Sequence, residues 1–404
     1  MTKLTTTRRM PAVPGFLAAG LAAGIKVNGE KDLALIHSEA PAAAAGVFTR
    51  NRARSPSVLW CERVLKNNAA IRAVLINSGN ANACVGPQGM ADCKNLAAAL
   101  AGELGISTRE ILIASTGVIG VPLPTERMVD ALPRLTKKLS ASGWNQAARA
   151  ILTTDLAVKT ASCTYTENGK EIVVAGIGKG SGMIHPNMAT MLGFVQTSAV
   201  INAPTLKRAL KEAVDASFNR ITVDGDTSTN DAVLALASGR AETPPVKTGT
   251  RAYARFVDAL TGVCRDLAIQ IVKDGEGATK FVTVRVVGAR TQAQAHKVAS
   301  SVATSSLVKT ALFGEDPNWG RILAAAGNAG VPIRPEKMTI SLGGALLFEN
   351  GTPSPATSKK ALMREMRKKT IVITLDLMDG GQSTEMYTCD LSYDYIKINA
   401  EYTT

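Results

Sequence analysis

The chain has 404 residues, of which 46% are hydrophobic, 20% charged and only 4% aromatic; this is the balance of a globular protein, and the length exceeds what one core usually serves, so two domains are expected. With 46 lysines and arginines against 33 acids, the formal charge of +13 suits nucleic acid, a membrane surface or anionic substrates. No apolar run reaches the roughly 18 residues of a membrane-spanning helix.

Arg8 and Arg9 ahead of the apolar stretch 16–25 superficially resemble a signal peptide. Gly15, Gly20 and Gly24 interrupt or border that stretch, however, and Lys26 follows at once. The alternating KDLALI that comes next reads as a strand, so a cytoplasmic rather than a secreted protein is expected. Residues 70–77 (AIRAVLIN) read as a strand followed by a Gly/Asn-rich loop. Cys93, Leu96, Ala97, Leu100 and Leu104 then fall on one helical face. A strand over 110–114 is expected to end in an ordinary turn at Ser115, Thr116 and Gly117. Helices are expected over 125–140 and 143–152, and a strand-like region over 155–198, broken by a Gly-rich loop at 176–182.

Helices resume after Asn202, most clearly where Phe256, Leu260, Val263, Leu267 and Ile271 form one stripe. The proline-containing loop 241–250 is the expected joint between lobes 1–240 and 251–404. Strands are expected at 281–287, 371–377 and 393–398. Lys359, Lys360, Arg364, Arg367, Lys368 and Lys369 lack interleaved aromatics and read as a solvated helix face, which counts against an RNA-binding protein. The six cysteines match no zinc or redox spacing and read as reduced thiols. Strands and helices in mixed, non-alternating order predict an α+β fold.

The segment 178–192, GKGSGMIHPNMATML, carries the most chemical information. Its Gly-rich loop lacks a following Gly-Lys-Ser/Thr triplet and leads into a strand, which excludes a phosphate-binding loop. Asp224, Asp226 and Asp231 do not have the spacing of a calcium loop, and His37, His185 and His296 are scattered. No metal and no cofactor are expected.

GSGMIHPNMATML resembles the cleavage segment of the ornithine acetyltransferase (glutamate N-acetyltransferase) family. INSGNANAC (76–84), STGVIG (115–120), TTD (153–155) and VDGDTSTND (223–231) are similar to that family's motifs, as are DGEGATK (274–280), DPNWGRI (316–322) and NAEYTT (399–404). The ordered matches span nearly the whole chain.

The resemblance implies a layered αββα sandwich and a precursor that cuts its own Ala189–Thr190 bond into fragments of 189 and 215 residues. It makes Thr190 the nucleophile. A threonine hydroxyl is weak without a nearby base, but the α-amine freed by the cut, with an ordinary pKa of about 7.7–8, can accept its proton. The resemblance further places Thr116 and Gly117 at an oxyanion hole, and substrate contacts at Thr153, Lys179, Thr190, Glu276, Asn399 and Thr404. The implied partners are N2-acetylornithine and glutamate, acetyl-CoA in those members that also use it as donor, and a heterotetramer of two α and two β fragments. An amidohydrolase or aminopeptidase with an N-terminal nucleophile would share the cut and the nucleophile, differing in whether water takes the acyl group.

Overall fold

The structure is a computed structural model that describes residues 4–67, 70–185 and 191–401. These residues group into two compact units. The first runs up to Asn219 and resumes over Asp226–Ile271; the second holds Arg220–Gly225 and the chain from Val272. Residues 241–250 lie within the first unit.

The first unit contains strands β1 (Phe16–Leu21), β2 (Leu33–Phe48), β3 (Ala70–Asn80), β4 (Ile111–Val118), β5 (Lys159–Glu167), β6 (Lys170–Lys179), β7 (Leu192–Thr197) and β8 (Ala232–Ala237). Its helices are α1 (Pro56–Asn67), α2 (Gln88–Leu104), α3 (Thr125–Lys137), α4 (Trp144–Ala150), α5 (Ala203–Asp215) and, but for its last turn, α6 (Arg251–Lys273). The apolar stretch near the N-terminus is therefore an interior strand, β1, paired antiparallel with β2.

The strand order is β4-β3-β2-β8-β7-β6-β5, with β1 also on β2. The long strand β2 serves three partners. It pairs with β1 over 33–38 and with β3 over 33–37, breaks register with β3 between His37 and Ala42 before meeting it again at 42–43, and pairs with β8 over 43–48. Five strand steps separate β4 from β6, about 24 Å along a flat sheet. Yet Lys179 at the end of β6 lies 3.3 Å from Thr116 of β4. The sheet thus folds back on itself at β2 into two layers.

Alternation along the strands explains the packing. Val173, Ala175 and Ile177 of β6, Phe194 of β7 and Leu234 of β8 join Ile36, Val74 and Ile76 of the other layer in one core. The alternate residues Gly176 and Gly178 of β6 face Leu267 of α6, whose stripe of Phe256, Leu260, Val263, Leu267 and Ile271 is buried as its period requires. Across the other layer, α1 lies on β4, with Trp60 Nε1 donating to the Ile111 carbonyl at 3.0 Å. The result is a layered α+β sandwich with helices outside two sheet layers.

The second unit contains β9 (Phe281–Ala289), α7 (Gln292–Thr304), α8 (Ser306–Phe313), α9 (Trp319–Gly327), β10 (Thr339–Leu342), β11 (Ala345–Glu349), β12 (Thr352–Pro353), α10 (Lys359–Met366), β13 (Thr370–Asp376), β14 (Gln382–Cys389) and α11 (Tyr393–Glu401). Its sheet has the order β12-β11-β10-β13-β9-β14, with β13 and β9 parallel. Val282, Val284, Val286, Ile371 and Ile373 pack against Val298 and Val302 of α7. The basic residues on and after α10 are exposed, while Glu365 and Met366 face inward.

The expected strand at 393–398 is instead the helix α11. The two-residue spacings of Tyr393 with Tyr395 and of Ile396 with Ile398 suggest a pleated half-buried surface, but no residue of α11 is buried. A short apolar alternation with no core behind it does not specify a strand. The edge position beside β9 goes to β14, a segment rich in threonine.

Candidate active site

Strand β4 continues through Ser115, Thr116 and Gly117 rather than turning at them. It runs parallel to β3, with Gly79 opposite Gly117. The turn signal fails because Gly117 serves a different need. Its φ of 134° is unfavourable for other residues, and a Cβ there would lie 2.3 Å from the Gly79 carbonyl carbon. Asn230, at the head of β8, fixes both strand ends: its Nδ2 donates to the carbonyls of Ala81 at 2.6 Å and Ser115 at 2.8 Å. Gly117→Ala must therefore separate β3 from β4 and is expected to destabilise the protein by roughly 2–4 kcal/mol. Thermal melting checks this, and an unchanged midpoint would show that the two backbones have room to part.

The Gly-rich loop is likewise shorter than its composition implies. Gly176, Gly178 and Lys179 belong to β6, and the chain leaves the sheet only at Gly180, whose φ is 150°. Lys179 shares the inward face of Val173, Ala175 and Ile177, which aims it between the two layers. Its ammonium donates to Thr153 Oγ1 at 2.7 Å and to Thr116 Oγ1 at 3.3 Å, and lies 3.8 Å from Asp155.

Asp155 organises the rest. Its side chain is 0% exposed. One carboxylate oxygen accepts from Lys159 Nζ at 2.6 Å and from the Gly180 N–H at 2.7 Å; the other accepts from the Thr153 N–H at 3.1 Å. Burial disfavours its charged form, but Lys179, Lys159 and these hydrogen bonds outweigh burial and hold the carboxyl at about 2. Thr154 and Ser181 share a hydroxyl–hydroxyl hydrogen bond at 2.7 Å beside the pair. Burial lowers the pKa of the His185 imidazole, against the opposing pull of Asp226, so it is held toward the neutral form.

The structure thus brings Thr116, Thr153 and Lys179 into hydrogen-bond contact and sets Gly117 against Gly79. In the second unit Asn399 Nδ2 donates to Glu276 Oε2 at 2.9 Å. The segment around them is strapped down: Ser392 Oγ donates to the Gly277 carbonyl at 2.6 Å, and Asp390 accepts from the N–H groups of Thr279 and Lys280. Ala189, Thr190 and Thr404 lie outside the described residues. Among the described residues no group of three or more His, Cys, Asp or Glu side chains is arranged to hold a metal ion, and no helix is long and apolar enough to cross a membrane. Asp155, Lys159 and Asn230 are the site residues that the sequence reading does not single out. Asp155 and Asn230 sit inside quoted motifs, where a lone acid or amide carries no distinguishing signal.

Two sheet layers with a hydroxyl–lysine–carboxylate cluster built between them define the class, a layered α+β protein with a polar site between its sheets. The ArgJ family model matches residues 17–404, and the chain belongs to the ArgJ family. It is similar to the arginine biosynthesis bifunctional protein ArgJ of Thermosynechococcus vestitus, 46% identical over 98% of both chains. It is also similar to that of Symbiobacterium thermophilum, 48% identical over 97% of this chain and 98% of the relative. Among solved structures, the crystal structure of an arginine biosynthesis bifunctional protein ArgJ from Bacillus halodurans is 42% identical, with a TM-score of 0.51. It is matched over 100% of its own chain and 53% of this one.

Proposed function

We propose that the protein moves the acetyl group of N2-acetylornithine onto glutamate through an acetyl ester on Thr190, releasing ornithine and forming N-acetylglutamate. One observation carries this reading. Lys179 and Leu192 pair across β6 and β7, and the connection 180–191, which carries Ala189 and Thr190 in sequence, starts and ends on that pair. Antiparallel neighbours are usually joined by about 2–5 residues, and a connection this long is commonly functional. It begins at the lysine that bonds Thr116 and Thr153.

The chemistry follows in order. After the cut, the Thr190 amine accepts the hydroxyl proton as Oγ1 attacks the acetyl carbonyl. The oxyanion is stabilised by the Thr116 hydroxyl and the Gly117 N–H. The C–N bond breaks, the proton passes to the leaving ornithine amine, and the acetyl group stays on Thr190. The glutamate amine then attacks the ester and regenerates the hydroxyl. Lys179 takes a substrate carboxylate, Thr153 orients Lys179, and Glu276, Asn399 and Thr404 are the remaining substrate contacts that the family resemblance supplies. The relatives' designation as bifunctional supports acetyl-CoA as a second donor to the same threonine. The Bacillus halodurans chain spans 53% of this one, the share that a fragment starting at Thr190 would take, which supports the cut. The working form in this reading is a cytoplasmic heterotetramer of two α and two β fragments.

One site used twice predicts ping-pong kinetics. Parallel double-reciprocal lines are expected as glutamate is varied, and without glutamate the fragment beginning at Thr190 should gain one acetyl group by mass. Intersecting lines with no acetylated fragment would replace the covalent route by direct transfer. Acetate as the main product would make the enzyme a hydrolase.

A further inference from the structure

Lys26 lies beside the site and the mechanism gives it no role. It lies in the loop between β1 and β2. Asp32, fully buried, accepts from the N–H groups of Ala23 at 2.6 Å, Ile25 at 2.6 Å and Lys26 at 3.0 Å, so a single carboxylate sets the loop's shape. The Asp32 carbonyl accepts from the Ser78 N–H at 2.9 Å, which ties the loop to β3 next to Gly79. The Lys26 stem then lies on Gly79, where a Cβ would come within 3.0 Å of Lys26 Cγ. Gly79 is the residue opposite Gly117. Lys26 therefore sits over the backbone crossing that carries the oxyanion residues.

The charges around it are uneven. The Lys26 side chain is only 11% exposed, and its ammonium bonds the Lys31 carbonyl at 3.1 Å. Its nearest carboxylate partner, Glu30, is 3.9 Å away with a side chain 67% exposed. The Asp32 carboxylate is already taken by three N–H groups. Burial lowers the Lys26 pKa; Glu30 and Asp32 oppose that, while Lys179 adds its own repulsion. Two ammonium groups are thus held within electrostatic range of each other, and among the described residues the carboxylate that Lys26 meets within 4 Å is the water-screened Glu30, while Asp32 and Asp155 act on it from farther away.

A dicarboxylate suits this arrangement. Acetylornithine brings one carboxylate and glutamate brings two, so an acceptor-selective site needs a cation beyond the one that takes the α-carboxylate. We propose that Lys26 determines acceptor specificity by taking the second carboxylate of the incoming dicarboxylic amino acid in exchange for Glu30. This rests on the acetyl-transfer reading above.

The test compares glutamate with glutamine, its neutral isostere, as acceptor for the full-length enzyme and for Lys26→Met, which keeps the stem on Gly79 and removes the charge. The kcat/KM preference for glutamate over glutamine should fall about 10- to 100-fold, mainly through the KM for glutamate, as expected for loss of a charged hydrogen bond. Lys26→Arg should recover most of the preference. An unchanged preference in Lys26→Met, or an equal loss for both acceptors, overturns the proposal and leaves Lys26 as packing. Ornithine release by the unsubstituted enzyme, measured without acceptor, separates the two readings. If it fails, the reading through an acetyl ester on Thr190 falls; if it succeeds while the acceptor preference is untouched by Lys26→Met, only the role of Lys26 falls.

Discussion

Thr190→Ala is expected to run on a denaturing gel as one uncut chain and to transfer no acetyl group. Both losses have one cause. In the proposed mechanism the same hydroxyl attacks the Ala189 carbonyl during maturation and the acetyl carbonyl during turnover, and alanine offers no oxygen for either ester. Thr190→Ser retains the oxygen, so cutting and transfer should survive at reduced rate. Two fragments from the alanine variant, or full activity from an uncut chain, would remove Thr190 from the mechanism. Lys179 and Leu192 are held by the β6–β7 ladder regardless of what stands at position 190, so the uncut variant should still fold, and its melting temperature separates lost chemistry from lost structure.

Asp155→Asn should cost activity and stability together. The carboxylate is the counterion of Lys159, whose side chain is 1% exposed, and removing one partner of a buried pair costs about 3–5 kcal/mol. It also holds the Gly180 N–H and the Thr153 N–H and sits 3.8 Å from the Lys179 ammonium. Lys179 would lose its fixed position, and kcat/KM should fall by a factor on the order of 1000, since groups held by such networks act as a unit. Retention of near-normal kcat/KM would show that Lys179 is positioned without it. The pH dependence carries a sign. The folded-state pKa of Asp155, about 2, lies below its unfolded value of about 3.9. Its stabilisation, about 2–3 kcal/mol, is fully present above pH 4 and is lost as pH falls through about 2. Acid titration of Asp155→Asn should lack that part of the transition.

Much of the fold is legible from period alone. The stripe of α6, the buried face of α2 and the apolar runs of β3, β9 and β13 each match one period and a core on one side. Two kinds of residue defeat such reading. Glycines 117, 176 and 178 look like loop punctuation, yet each lies inside a strand where another backbone or a helix presses close. The segment 393–398 shows strand alternation without a core to enforce it. The site is legible mainly through resemblance, which supplies Thr116, Thr153 and Lys179. The folding back of the sheet at β2 is what brings Thr116 to Lys179, and it depends on a register break between His37 and Ala42 that no local pattern announces. Asp155 and Asn230 act through backbone N–H and carbonyl groups distant in sequence, and Asp32 through N–H groups of its own loop, so their roles appear only in three dimensions.

The position of β7 and β8 in the strand order has a consequence for the mature molecule. They lie between β2 and β6, and α5 joins them. The proposed scission at 189–190 would therefore leave a sheet woven from two polypeptides, with one fragment supplying a β-α-β wedge to a slot that the other keeps open on both sides. The wedge is gripped by the β6–β7 and β2–β8 ladders, and neither ladder uses the severed bond. Withdrawing it would expose two raw strand edges and the part of the core that Phe194 and Leu234 cover. The two fragments are mutual templates: produced separately, each should aggregate, and mixing them during refolding should recover what neither attains alone.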